Sequence, residues 1–295
     1  MFVGNWKTYK TTMTEVQEFF RDLPVYSSRF KPEYEVALAP ATIHLASAGG
    51  LMPSNIALCA QDCSPFPPGA HSGHTTAEQL KANHVKYCIL GHFERRADGE
   101  TDEQINGKIK RCLENGISPI VCFGETLVDY DNDMTRVVVE RQMRDCLRGV
   151  TQMENVVLCY TPLWSIGTGF YTTGDYSNII ADFMRKTAVK LTGNPMAANC
   201  TILFGGQITS TNVREYLEAP EVDGVMFAIA ALKPADFAEI VGTPFNINKM
   251  LRVDPSVHNP NDPKKVATAV AAEAEKTGAA APAPQQGAPA APAQH

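Results

Sequence analysis

Thr161 and Pro162 stand where an apolar run ends, and the loop that follows, 162–169, holds Trp164 and closes on Gly167 and Gly169. A tryptophan-anchored loop between a proline and two glycines is the pattern of a hinged lid over a site. What chemistry lies beneath it turns on Thr161, whose hydroxyl is not a base near neutral pH. Other polar residues stand at equivalent run ends: Asn5 and Lys7 on either side of Trp6, His92 with Glu94 and Arg95, and Gln207 after Gly205 and Gly206. Taken alone, Asn5 and Lys7 read as a strand-end hydrogen-bonding pair, and His92, Glu94 and Arg95 as a structural polar cluster. His71 and His74 sit on a loop with no third ligand in sequence, and Cys59 and Cys63 have no second pair nearby, so no metal site is expected.

The elements that must position these residues follow from period. Short apolar runs at 2–6, 35–40, 56–61, 86–91, 117–123, 156–161, 201–205 and 223–228 predict strands. Between them, 12–22, 42–50, 76–82, 100–115, 132–148, 175–191, 210–217 and 234–241 carry helical spacing. Continuous apolar strands separated by helices imply a parallel sheet covered on its outer face. Eight such units fit a closed α/β barrel, (β/α)8, better than an open doubly wound sheet, and no G-x-G-x-x-G follows the first strand. Thr101 with Gln104 predicts a capping box ahead of Ile105, Ile109 and Leu113, and the helix from 175 is expected to turn Ile179, Phe183 and Leu191 to one side.

Composition narrows the function classes. A formal charge of -6 leaves no footprint for nucleic acid or an anionic membrane surface. No apolar run reaches the length of a transmembrane helix, so no membrane insertion is expected. The eight cysteines are irregularly spaced, several inside apolar runs, which predicts reduced, buried thiols in a reducing compartment, the cytoplasm or, if the start is a processed one, an organelle matrix. The strand-like start at Met1-Phe2-Val3 leaves no room for a signal peptide. Past the barrel, 243–262 is rich in Pro and Asn without period, 262–276 has helical spacing through Val266, Val270 and Ala274, and 278–295 is an Ala/Pro-rich tail too apolar-poor to fold alone. The expected division is therefore 1–242 barrel, 243–277 extension with a short helix, and 278–295 disordered.

Four stretches carry a resemblance: Gly4-Asn5-Trp6-Lys7, Ile89-Leu90-Gly91-His92-Phe93-Glu94-Arg95-Arg96, Cys122-Phe123-Gly124-Glu125-Thr126-Leu127 and Pro162 to Gly169. In order and spacing they resemble the triosephosphate isomerase family over residues 1–242. The resemblance implies the barrel, no cofactor, and exchange of a proton between neighbouring carbons of a three-carbon sugar phosphate, for which this family is the standard case of a Glu base and a neutral His electrophile. It gives Lys7 the role of active-site cation, Asn5 that of orienting it, His92 that of electrophile and Glu94 that of the acid two residues beyond.

The match fails at the catalytic face. The family places its base where Tyr160-Thr161-Pro162 has Thr161, and loss of a general base costs about 10² to 10⁴-fold. The phosphate loops are altered too: Gly167 is kept in the lid, but Gln207 replaces a small hydroxyl residue, and Ala228 and Ile229 stand where glycines let backbone meet an anion. Phe93 replaces a Ser beside the histidine. These departures imply a catalytically silent member serving as a structural or accessory subunit, the alternative being a working isomerase with Glu94 or another carboxylate as base. The loop from Asp62 to His74 resembles the arm by which family members pair as dimers, with Asp62 and His74 in place of Asn and Glu. It is the expected surface for a protein partner or homodimer, with the C-terminal extension as a docking arm.

Overall fold

The computed structural model describes residues 1–166, 168 and 170–244. Eight strands, β1 (Phe2–Asn5), β2 (Val36–Ala39), β3 (Ala57–Ala60), β4 (Tyr87–Leu90), β5 (Ser118–Phe123), β6 (Val157–Tyr160), β7 (Thr201–Gly205) and β8 (Gly224–Phe227), close into a parallel barrel in sequence order. β1 completes the ring by pairing Phe2 with both Val36 of β2 and Val225 of β8. All eight expected strands are present, and each is followed by helix.

Strand alternation divides the core in two. Residues such as Val3, Ile89, Ile120 and Leu203 fill the barrel with small Ala37, Ala39, Cys59, Cys122 and Cys159 between them. Their neighbours Phe2, Val121, Phe123 and Phe204 point outward into a second apolar layer beneath the helices. All eight cysteines are buried with free thiols, the barrel ones packing as small hydrophobes.

Helix starts follow local chemistry. Thr101 caps Asp102–Glu114 by accepting from Gln104 N–H while Gln104 reaches back, and Ile105 and Ile109 are buried as expected. The helix Gly174–Thr192 is capped by Thr173, but its inner face differs from the expected one. Ile180, Met184 and Ala188 are buried, Phe183 and Leu191 are partly buried, and Ile179 is 48% exposed. Apolar residues occur at both 179 and 180, so spacing alone does not fix which one meets the barrel. The expected helix at 42–50 is a 3₁₀ turn, Thr42–His44, running into Leu45–Leu51. Short helices at Phe93–Ala97, Leu127–Asp131 and Ile229–Leu232 lie inside strand–helix loops that the period did not reveal. Pro234–Val241 ends at Gly242; beyond 244, the expected helix over 262–276 and the tail lie outside the described residues.

Candidate active site

The strands' carboxyl ends open into one cavity of ≈ 620 Å³, lined among others by Asn5, Lys7, His92, Phe93, Thr161, Gly205, Gln207, Ala228 and Ile229. Seven of the nine expected site residues therefore meet in one place, on loops from five different strands. Glu94 does not line it but sits behind Lys7 and His92, and Gly167 lies outside the described residues.

Lys7 is held in a costly backbone conformation, with φ of 49°, which disfavours a side chain by about 1 kcal/mol. Two local bonds offset that cost. Asn5 Oδ1 accepts from Lys7 N–H at 2.9 Å, and Gln61 Nε2 donates to the Lys7 carbonyl at 2.8 Å and to the Ala39 carbonyl at 2.9 Å. The pair that reads alone as a strand-end arrangement thus also aims an ammonium along the cavity wall. Gln61 was not singled out in the sequence; its place just beyond β3, next to the ends of β1 and β2, is the signal.

The ammonium does not face the cavity free. Lys7 Nζ lies 2.5 Å from Glu94 Oε1 and 5.2 Å from the centre of the Phe93 ring. His92, at the start of the helix Phe93–Ala97, presents Nδ1 to Glu94 N–H at 3.4 Å and to Glu94 Oε2 at 3.3 Å. Both partners of that nitrogen come from Glu94, leaving Nε2 as the nitrogen directed elsewhere. His92 and Lys7 hold the Glu94 carboxyl down to about 2, against the opposing effect of partial burial. Behind them Arg96 pins the end of β4: Nε donates to the Gly91 carbonyl at 2.8 Å, and the guanidinium is ion-paired with Asp102.

Across the cavity, at the end of β6, Thr161 is bonded into the wall. Thr161 is 2% exposed, its N–H donates to the Phe123 carbonyl at 2.7 Å, and its hydroxyl donates to the same carbonyl at 3.2 Å. The hydroxyl is spent on the barrel wall. Gly124 makes this approach feasible, since a Cβ there would lie 1.9 Å from the Thr161 carbonyl oxygen. At Gly205 a Cβ would lie 2.7 Å from Thr161 Cγ2, so the methyl packs on β7.

The stem of the lid is fastened by a carboxylate. Glu125 is fully buried, and its Oε1 accepts from Trp164 Nε1 at 2.7 Å and Tyr160 OH at 2.8 Å. Oε2 has no hydrogen-bond partner among the described residues. The Trp164 ring packs 4.2 Å from that of Tyr130, and Thr168 Oγ1 donates to the Trp164 carbonyl at 2.6 Å.

At the opposite rim, Ile229 is 64% exposed in the turn Ile229–Leu232. Asp236 and Glu239, on the last helix, also line the cavity. These two carboxylates escaped the sequence reading because they lie one and two turns into a helix rather than at a strand end. They place negative charge at the end where the resemblance expects a phosphate, which disfavours an anion there. Of the two loop histidines, His71 stacks on Phe66 at 4.3 Å and His74 Nδ1 bonds Ser64 Oγ at 3.1 Å.

Comparison with known proteins agrees with this architecture. The family model described as triosephosphate isomerase matches residues 1–243. A triosephosphate isomerase of Carboxydothermus hydrogenoformans is 41% identical over 242 residues, covering 81% of this chain and 96% of that protein. One from Mycoplasmoides gallisepticum is 36% identical, covering 81% and 95%, and one from Chlorobium luteolum is 35% identical, covering 81% and 96%. With the barrel closed in this strand order and the match running across it from end to end, the chain belongs to the triosephosphate isomerase family.

Proposed function

We infer that this chain is a triosephosphate isomerase homologue that has lost catalysis and serves as a structural or accessory subunit of a larger assembly. The observation that carries this reading is Thr161, standing at the end of β6 with its hydroxyl bonded to the Phe123 carbonyl. Proton abstraction next to a carbonyl needs a group of suitable basicity within reach of the carbon. Glu94 is a poor replacement: it lies outside the cavity lining, is tied to Lys7 and His92, and a carboxyl held at about 2 is a weak base. The carboxylates that do line the cavity, Asp236 and Glu239, stand at the rim that would have to hold the phosphate. The partner surface in this reading is the Asp62–His74 loop, for a second copy or another protein, with 243–277 as a docking arm.

The second reading is an active isomerase interconverting dihydroxyacetone phosphate and glyceraldehyde 3-phosphate. The name of the relatives favours it, as do Lys7 and His92 in one cavity. A coupled assay on the purified full chain separates the two. The silent reading expects turnover far below the usual enzyme range of about 1 to 10³ s⁻¹, and turnover within about tenfold of that range overturns it. Thr161→Glu is the companion, with folding checked by circular dichroism: if the base alone were missing activity rises by about 10² to 10⁴-fold, whereas the altered rim predicts that it stays low.

A further inference from the structure

Away from the cavity, between the barrel and its helices, three cysteines distant in sequence converge. Cys63 lies in the loop after β3, Cys88 on β4 and Cys112 on the helix Asp102–Glu114. Their sulfurs all lie within 4.8 Å of one another, and Cys63 Sγ and Cys112 Sγ are 3.5 Å apart. The three residues are 5%, 0% and 0% exposed. Three thiols from three separate elements are turned toward one point in the apolar layer beneath the helices, outside the barrel interior.

We propose that Cys63, Cys88 and Cys112 form a binding site for a soft d¹⁰ cation, Cu(I), held by three sulfurs. Thiolate donors select Cu(I), Zn(II) and iron–sulfur clusters. A cation about 2.3 Å from each of three sulfurs needs them about 4 Å apart. That spacing lies between the 3.5 Å of the near pair and the 4.8 Å bound of the group, so binding requires side-chain adjustment rather than refolding. The donor set decides between ions. No fourth His, Cys, Asp or Glu joins the group among the described residues, and structural zinc asks for four ligands, whereas Cu(I) accepts three. The nearest charges are already engaged: Asp62 bonds Lys108 at 2.6 Å and Arg95 at 3.2 Å.

Each thiol that becomes a thiolate ligand releases one proton to solvent; no oxidation is involved.

The test uses the full chain, reduced and metal-stripped, titrated anaerobically with Cu(I) against a chromogenic chelator and separately with Zn(II). The expected result is one equivalent of Cu(I) per chain, with three sulfurs in one shell by X-ray absorption and a higher midpoint of thermal unfolding. Cys112→Ala and, independently, Cys63→Ser are each expected to weaken binding by about 100-fold or more, and a Cys159→Ala control leaves it unchanged. Three results overturn the proposal: no bound Cu(I), binding that survives both substitutions, or retention of Zn(II) in preference to Cu(I). If Cys112→Ala does not fold, Cys63→Ser on the loop decides alone.

Discussion

The two walls of the cavity are built from the same barrel but carry opposite chemistry. On the β1 and β4 side, Asn5, Lys7, His92 and Glu94 form one charged, mutually bonded group. On the β6 to β8 side stand Thr161, with its hydroxyl turned into the wall, Ile229 and Gln207 at the rim, and the carboxylates Asp236 and Glu239. In the reading proposed above, the first wall orients and polarises a ligand, while Thr161 offers no base on the second. The difference teaches that the charged side is held by its own internal bonds, through Gln61, Arg96 and Asn5.

The comparison breaks most severely at Gly124. Gly124→Ala forces a Cβ into the Thr161 carbonyl and is expected to cost about 3 kcal/mol, read as a lower urea midpoint; an unchanged midpoint means the wall at the end of β6 is not packed as described. Trp164→Phe removes a donor to the buried Glu125 and is expected to cost about 2 kcal/mol, measured the same way.

The charged wall is probed by pH. The Glu94 carboxyl sits at about 2 in the folded chain, below its ordinary 4.5, so its contribution is present above about pH 4.5 and lost as pH falls toward 2. Because the side chain is 46% exposed, solvent screening reduces that contribution to about 1 kcal/mol. Glu94→Gln is expected to lower stability by that amount at neutral pH, and the gap to the parent should close by about pH 2 in acid titrations followed by fluorescence. Smallest is Thr161→Val: the Phe123 carbonyl keeps the Thr161 main-chain N–H, so loss of the hydroxyl costs about 0.5–1 kcal/mol. Isomerase activity should not change, which a parallel assay checks.

Much of this was legible in the sequence because strands in a covered parallel sheet are apolar on both faces and announce themselves as runs. The charged wall was legible too, since its residues stand at the end of those runs or within three positions past them. What was hidden came from elements meeting in space. Asp236 and Glu239 reach the cavity from a helix interior, and Cys63, set aside in the sequence with Cys59, joins the distant Cys88 and Cys112 only when β3, β4 and a helix pack. The inner face of Gly174–Thr192 was missed because Ile179 and Ile180 are equally apolar and only packing chooses between them.

The most direct measurement follows the proton itself. Dihydroxyacetone phosphate is incubated with the purified full chain in heavy water, and exchange of its carbon-bound hydrogen is followed by proton NMR against buffer alone. The account predicts exchange no faster than in buffer, because it gives Thr161 no basicity and assigns Asp236 and Glu239 to the phosphate rim. Deuterium incorporation that depends on this protein and disappears on Glu94→Gln would contradict it and place the base on the charged wall.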